Sequence, residues 1–340
     1  MWYNQHEVNA MDTGNFARIL NGGLENNAFP CYAAAVGDKD RIIFRALGGA
    51  RSICPERKEL EEGTLFDMAS LSKLIATTMA ALRLIEKNRL SLDDKIGDFF
   101  ENCYGKENTT VFELMTHTSG IKAHFPLWLR GIAPSDAADE ILRENFGYTP
   151  KTDAVYSCMG YILLGRILEI IENEPLDSIV SCNVLAPLGM KNSFYNPNSE
   201  TACAATERDY DSGEIICGKV HDENARFLNG VAGNAGLFCD LDDCIRFARM
   251  LSMRGEGFIS TELFDYAVTD LTPSFNEHRG LGFQIVGKRY GHNGFTGTSI
   301  YVHRESGVFA ILLTNRVHPT RDNRGLFAIR NEFHKAVFGE

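Results

Sequence analysis

Nowhere in these 340 residues is there a run of roughly 18 uncharged apolar residues, the length a bilayer-spanning helix needs. No two of the nine cysteines stand in Cys-x-x-Cys spacing, which removes the usual signature of zinc ribbons and dithiol redox centres. Their odd number and even spread speak against a disulfide framework and for reduced thiols. The closest pair, Cys239 and Cys244, has no paired histidine ligands, so no metal is expected there. Positive charge is in deficit. Thirty-four Lys and Arg face 45 Asp and Glu, and a net charge of −11 repels nucleic-acid phosphates and anionic membranes. Neither is expected as a partner. The first residues, Met1 to Glu7, have no basic start and no apolar centre, so no secretory signal is read and a cytoplasmic location is expected. What remains, 44% hydrophobic and 23% charged residues, is the balance of an ordinary globular chain.

With ten prolines and no repeat or low-complexity tract, the domain plan must come from pattern. Residues 14–21 read as an amphipathic helix. Residues 31–36 and 41–47 read as strands joined by Gly37-Asp38-Lys39-Asp40, a turn-rich tetrapeptide. Apolar residues then recur at three- and four-residue spacing over 71–88, 109–116, 135–145, 159–173, 176–185 and 241–253. Strands return at 281–286, 298–303 and 308–314, and a last helix is expected over 325–338. Strands at both ends with helices between predict an α+β fold. One antiparallel sheet unit would come from residues 1–66 and 256–340, and a mostly helical unit from 67–255. The site belongs in the cleft between them.

The segment Asp67-Met68-Ala69-Ser70-Leu71-Ser72-Lys73-Leu74-Ile75-Ala76-Thr77-Thr78 carries the chemistry. Lys73 is the only charged residue between Asp67 and Arg83, on a helix apolar nearly all round and hence buried. Ser70, three residues earlier, shares its face. Burial depresses a lysine pKa, and each unit is worth about 1.4 kcal/mol, so a partly neutral amine beside a hydroxyl is expected. That is a general base next to a nucleophile. The plainer alternative is a helix-capping serine and a lysine whose stem reaches back to water. Ser-x-x-Lys is also a cheap pattern. With 17 Ser and 12 Lys, chance supplies about 0.6 matches, and a second occurs at Ser119 and Lys122, beside a glycine in what reads as a loop.

Four stretches in order add weight: Ala69-Ser70-Leu71-Ser72-Lys73, Leu114-Met115-Thr116-His117-Thr118-Ser119-Gly120, Tyr156-Ser157-Cys158 and Gly291-His292-Asn293-Gly294-Phe295-Thr296-Gly297-Thr298. Together with Pro187-Leu188-Gly189-Met190 and Leu313-Thr314-Asn315-Arg316 they resemble the serine β-lactamase and penicillin-binding-protein superfamily, in its class C-like esterase and peptidase branch. The resemblance runs from about residue 30 to 337. It implies a β-lactamase/transpeptidase-like fold, an antiparallel sheet flanked by terminal helices with a helical insertion. Ser70 would be the acylated nucleophile, Lys73 its proton partner and Tyr156 the second base. The backbone N–H groups of Ser70 and Phe295 would form the oxyanion hole. His292, Gly294, Cys158 and His221 would contact substrate, with no metal and no cofactor. As structural alternatives, Tyr156 is a core tyrosine and His292 a loop histidine. His117 is read as structural, holding the Thr116-to-Gly120 loop.

Two departures bear on substrate. Cys158 stands where the family has an asparagine that contacts the substrate amide, and His292 where it has a lysine that holds a carboxylate. Both argue against an efficient β-lactamase. Residues 218–225 and 230–238 resemble a subgroup of esterase-like proteins and of amidases that trim cell-wall fragments; there His221-Asp222-Glu223 either lines the cleft or pins its own loop. Over residues 121–150, His124, Phe125, Trp128 and Tyr148 are substrate-contacting aromatics or core. The expectation is a serine hydrolase of small esters or short peptides, at most a weak β-lactamase. The alternatives are a D-alanyl carboxypeptidase or muropeptide amidase, and a sensor that acylates without turnover. Oligomeric state is not readable.

Overall fold

The computed structural model describes residues 11–339; the expectation for Met1 to Glu7 therefore lies outside the described residues. The chain opens with helix α1 (Thr13–Glu25), capped by the Asp12 carboxylate on the Asn15 N–H, and enters β1 (Cys31–Gly37), β2 (Ile42–Ser52) and β3 (Lys58–Glu59). A short β4 (Phe66–Asp67) leads to a buried helix whose first turns, Lys73–Thr78, are wide π turns before α2 (Met79–Glu86). Then come α3 (Val111–Met115), α4 (Ala137–Arg143), α5 (Cys158–Glu172), α6 (Leu176–Val180), β5 (Phe194–Tyr195), α7 (Glu223–Phe227), β6 (Leu237–Cys239), α8 (Leu241–Ser252) and α9 (Thr261–Ala267). The chain closes with β7 (Gln284–Val286), β8 (Arg289–Asn293), β9 (Ser299–His303), β10 (Phe309–Thr314) and α10 (Leu326–Phe338).

Seven strands form one antiparallel sheet in the order β3-β2-β1-β10-β9-β8-β7, so the first and last thirds of the chain meet at β1 and β10. Alternation decides what each face covers. Tyr32, Ala34, Val36, Ala310 and Leu312 pack with Phe16, Leu20 and Phe333 of the two terminal helices. Cys31, Ala33, Ala35, Phe309, Ile311 and Leu313 face the main core with the helical part of the chain. The three alanines in a row on a strand buried at every residue keep the sheet thin enough for helices on both sides. A second sheet, β4-β6-β5, ties the turn before Ser70 to the middle of the chain.

Pattern reading missed β8 and α9. β8 reads Arg-Tyr-Gly-His-Asn, a polar string with a glycine, yet a strand it is. A Cβ at Gly291 would stand 2.0 Å from the Ile300 carbonyl oxygen, so the glycine lets β8 and β9 approach. The helix expected over 109–116 shortens to Val111–Met115, capped by reciprocal Thr110 and Glu113 bonds. Among the described residues no helix is long and apolar enough to cross a membrane.

Candidate active site

Ser70 lies at the end of a strained turn. Ala69 has φ +46°, a left-handed conformation that costs a non-glycine residue about 1–2 kcal/mol. It is held there from both sides. Its N–H donates to Asp67 Oδ1 at 2.8 Å, and its carbonyl accepts from the Ser72 N–H at 3.0 Å. Asp67 is buried, and its other oxygen accepts the His221 N–H at 2.7 Å. Burial pushes its carboxyl above the ordinary range, against the pull of those two donors. The strand-end segment after β8 fastens the same turn. Thr296 Oγ1 donates to the Asp67 carbonyl (2.7 Å) and Thr298 Oγ1 to the Met68 carbonyl (3.2 Å). Gly294, expected to contact substrate, is pressed against that carbonyl, since a Cβ there would come within 2.5 Å of it.

Lys73 is 1% exposed and spends its three protons inside the protein. Nζ donates to Ser70 Oγ at 3.1 Å, to the Asn234 carbonyl at 3.0 Å and to Cys158 Sγ at 3.4 Å, and it lies 4.8 Å from the centre of the Tyr156 ring. The expected depressed lysine is corrected here. Burial does work against the charge, but the acidic groups of Cys158 and Tyr156, with Asp222 beyond them, outweigh it and raise the pKa above its ordinary value. The Asn234 carbonyl reaches Lys73 because Gly233 lets its loop touch α5, where a Cβ would sit 1.9 Å from the Tyr161 carbonyl oxygen.

Tyr156 precedes α5, whose cap is Ser157: its Oγ accepts the Gly160 N–H at 3.0 Å and donates to the Lys122 carbonyl at 2.8 Å. His117 fixes this approach by accepting the Ser157 N–H on Nδ1 (3.1 Å) and setting its ring, tilted by 52°, 4.8 Å from that of Tyr156. Burial first, then the positive Arg279 and Lys73, keep His117 neutral, well below the usual histidine range. The Tyr156 hydroxyl is buried and makes no hydrogen bond of good geometry, with Ser70 and Lys73 as polar neighbours. Burial pushes its pKa up and Lys73 pulls it back.

His292, on β8, donates Nδ1–H to the Asn293 carbonyl at 2.7 Å, leaving Nε2 a buried acceptor without a partner. Burial, Arg279 and Lys73 drive its pKa down to about 3, so the imidazole is neutral. Phe295 follows. Its carbonyl accepts from Arg316 Nε (3.0 Å), and its half-exposed ring stacks on His221 at 5.6 Å and lies beneath the Arg316 guanidinium. Among the described residues, neither the Ser70 nor the Phe295 N–H donates to a protein acceptor, as an oxyanion hole requires. His221 is turned away to Glu207, 2.9 Å from Nε2, and acts as a floor for Phe295. Cys158 is the first residue of α5, its sulfur beside Lys73.

Three contributors escaped the sequence reading: Asp67, the Asn234 carbonyl and Arg279. Arg279 is 5% exposed, its guanidinium 5.2 Å from the centre of the Tyr156 ring, ion-paired with Glu277 and with Nη1 unpartnered. Only a solitary charge in an otherwise buried stretch could have flagged Asp67; nothing local marks the other two.

Comparison with known proteins identifies the family and the fold. The Beta-lactamase family profile matches residues 16–334. A putative D-alanyl-D-alanine carboxypeptidase of Escherichia coli (strain K12) is 26% identical over 93% of this chain and 84% of its own length. An N-acetylmuramyl-L-alanine amidase of Bacillus subtilis (strain 168) is 27% identical over 85% of this chain and 78% of its own. In structure, EstCE1, a hydrolase with promiscuous acyltransferase activity, superposes with a TM-score of 0.80 at 18% identity, covering 97% of this chain and all of the other. The β-lactamase/transpeptidase fold is thus the fold of this protein, and the chain belongs to the β-lactamase family as one of its serine hydrolases.

Proposed function

We propose that the protein hydrolyses small esters or short cell-wall-type peptides and amides through an acyl-enzyme on Ser70. The observation that carries this is the 3.1 Å contact between Lys73 Nζ and Ser70 Oγ with Tyr156 alongside. Ser70 Oγ attacks the carbonyl, and the Ser70 and Phe295 N–H groups receive the developing oxyanion; such a donor is worth about 3 kcal/mol. The seryl proton passes to the Lys73–Tyr156 pair. Because Lys73 offers no free amine of its own beside Tyr156, the reactive form is the site with one proton removed, shared within the Lys73–Tyr156 pair. The pair then protonates the leaving group, and a water takes the acyl group off Ser70. The substrate channel is the cleft between the sheet unit (1–66 and 256–340) and the helical unit (67–255), with His292, Gly294, Cys158 and the floor residue His221 around it.

A neutral His292 cannot hold a carboxylate as a lysine would, but Arg279 places a buried positive charge over Tyr156. That favours substrates with a free C-terminal carboxylate, the carboxypeptidase alternative, over β-lactams held by the lysine. Nine unpaired cysteines support work in a reducing compartment, the cytoplasm. The test is intact-protein mass spectrometry during incubation with p-nitrophenyl esters, D-Ala-D-Ala peptides, muropeptides and β-lactams. A transient acyl adduct on Ser70 with release of product is expected from the esters or peptides. A permanent adduct without product would make the protein a sensor, and no adduct with any of them would overturn the reading.

A further inference from the structure

Hydrolysis at Ser70 leaves one nucleophilic group beside it unused, the Cys158 thiol. Its Sγ lies 3.4 Å from Lys73 Nζ, and the same ammonium is 3.1 Å from Ser70 Oγ. Cys158 is also the first residue of α5, a helix of 15 residues, and so stands at its positive end. An ammonium and a helix N-terminus are the surroundings in which cysteine sulfur attacks electrophiles. The thiol is within reach of solvent, since Cys158 is part-exposed, whereas Cys31, Cys103, Cys203, Cys239 and Cys244 are buried. Of the other accessible thiols, Cys182 and Cys217 stand on the surface, and Cys54 has Arg208 Nη2 at the longer distance of 3.9 Å.

A second, independent observation marks a place for a small polar molecule in the same group. Two buried polar atoms have no protein partner, the Tyr156 hydroxyl and Nε2 of His292, a residue 5% exposed whose ring lies 5.7 Å from that of Tyr156. The hydroxyl has Lys73 for a neighbour, as Cys158 does. One of these atoms can donate and the other accepts. That suits a small neutral molecule able to do both, such as water or hydrogen peroxide.

We propose that Cys158 is an oxidation site for hydrogen peroxide, and that its oxidation switches the enzyme off reversibly. The sulfur attacks one peroxide oxygen and the O–O bond breaks. The other oxygen leaves as water with the thiol proton, so sulfur gives up two electrons, peroxide is reduced, and Cys158 becomes a sulfenic acid. Once ionised, the new oxygen is an anionic acceptor beside Lys73. It binds the ammonium more strongly than the Ser70 hydroxyl does, and the lysine is drawn off the serine. A small thiol then displaces that oxygen as water to give a mixed disulfide; a second thiol frees Cys158 and departs as a disulfide. The loss of activity rests on the reading of Ser70 as nucleophile, and the oxidation itself does not.

The test has a labelling arm and a kinetic arm. Reduced protein is treated with stepped amounts of hydrogen peroxide in the presence of dimedone, which traps sulfenic acids, and the adducts are located by peptide mass spectrometry. Cys158 should be labelled about tenfold faster than Cys54, Cys182 or Cys217, and Lys73→Met should remove most of that advantage. Ser70→Ala should label like the unaltered protein. Without dimedone, peroxide should lower p-nitrophenyl ester hydrolysis at least about tenfold, and dithiothreitol should restore it. Whatever rate Cys158→Ser has, peroxide should not change it; should that variant fail to fold, labelling of the unaltered protein decides. Labelling confined to the other cysteines, an equal peroxide loss in Cys158→Ser, or full activity with Cys158 oxidised overturns the proposal. Rapid labelling of Cys158 in a protein that hydrolyses no ester before peroxide leaves the oxidation site standing and overturns the assignment of Ser70 instead.

Discussion

The chain contains Ser-x-x-Lys twice, and only one copy brings its lysine onto its serine. Ser70 and Lys73 start a buried helix, the lysine 1% exposed with its ammonium on the serine oxygen. Ser119 and Lys122 lie in a loop: Ser119 Oγ accepts the Ile121 N–H, while Lys122, its side chain 38% exposed, turns to Glu144. Identical spacing thus gives opposite outcomes, because a helix sets three-residue neighbours on one face and a loop around Gly120 does not. Burial then forces the first lysine to find protein partners, whereas the second has water.

The widest gap between the copies should come from the serines. Ser70→Ala should cut p-nitrophenyl ester hydrolysis by at least about 10⁴-fold with an unchanged circular-dichroism spectrum, while Ser119→Ala stays within about twofold. Equal losses would erase the distinction. The lysines come next. Lys73→Met should cost about 10³-fold in kcat, and Lys122→Met should leave kcat alone and cost under about 1 kcal/mol in chemical denaturation. Smaller again, Tyr156→Phe should slow deacylation about 100-fold, so that an acyl adduct builds up in the mass spectrum under turnover. A rate loss without adduct would confine Tyr156 to the acylation step.

The smallest effect sharpens the contrast between buried and open polar groups. His292 and His334 are held to about 3, chiefly by burial, so the unfolded chain takes up protons below about 6.5 that the fold refuses. Stability should therefore decline as pH falls from about 6.5 towards 3. Glu207 adds to this from lower down. Burial would raise its pKa, but His221 and Arg321 bring it to about 2, so its contribution is complete above its ordinary value of 4.5 and is lost between 4.5 and 2. Urea melts at stepped pH should show this slope, and His334→Phe should flatten its upper part. A melt insensitive to pH between 6.5 and 4 would contradict the neutral buried histidines.

Ser70, Lys73, Tyr156 and His292 were legible because each sits in a local string whose spacing carries meaning. Terminal helices and apolar strands were legible from periodicity. β8 was not, since Gly291 answers to the close approach of β9 and not to any strand propensity. Asn234 is silent for a different reason: it contributes a backbone carbonyl, which any residue owns. Arg279 matters because a hairpin turn carries it over Tyr156, a relation between positions 123 residues apart. The pKa of Lys73 was misread by counting burial without the neighbours that burial brought with it.

The Thr296 and Thr298 hydroxyls bind the carbonyls of Asp67 and Met68 across 229 and 230 residues of chain. During synthesis on the ribosome, Ser70 and Lys73 leave the exit tunnel long before the segment after β8 that carries Phe295, Thr296 and Thr298. A nascent chain stopped before the end of β8 has Ser70 but neither Phe295 nor the two threonine bonds to Asp67 and Met68. With Ser70 and Phe295 in their proposed roles, activity is therefore expected only after most of these residues have emerged, and proteolytic loss of the last fifth of the sequence should abolish it as Ser70→Ala would.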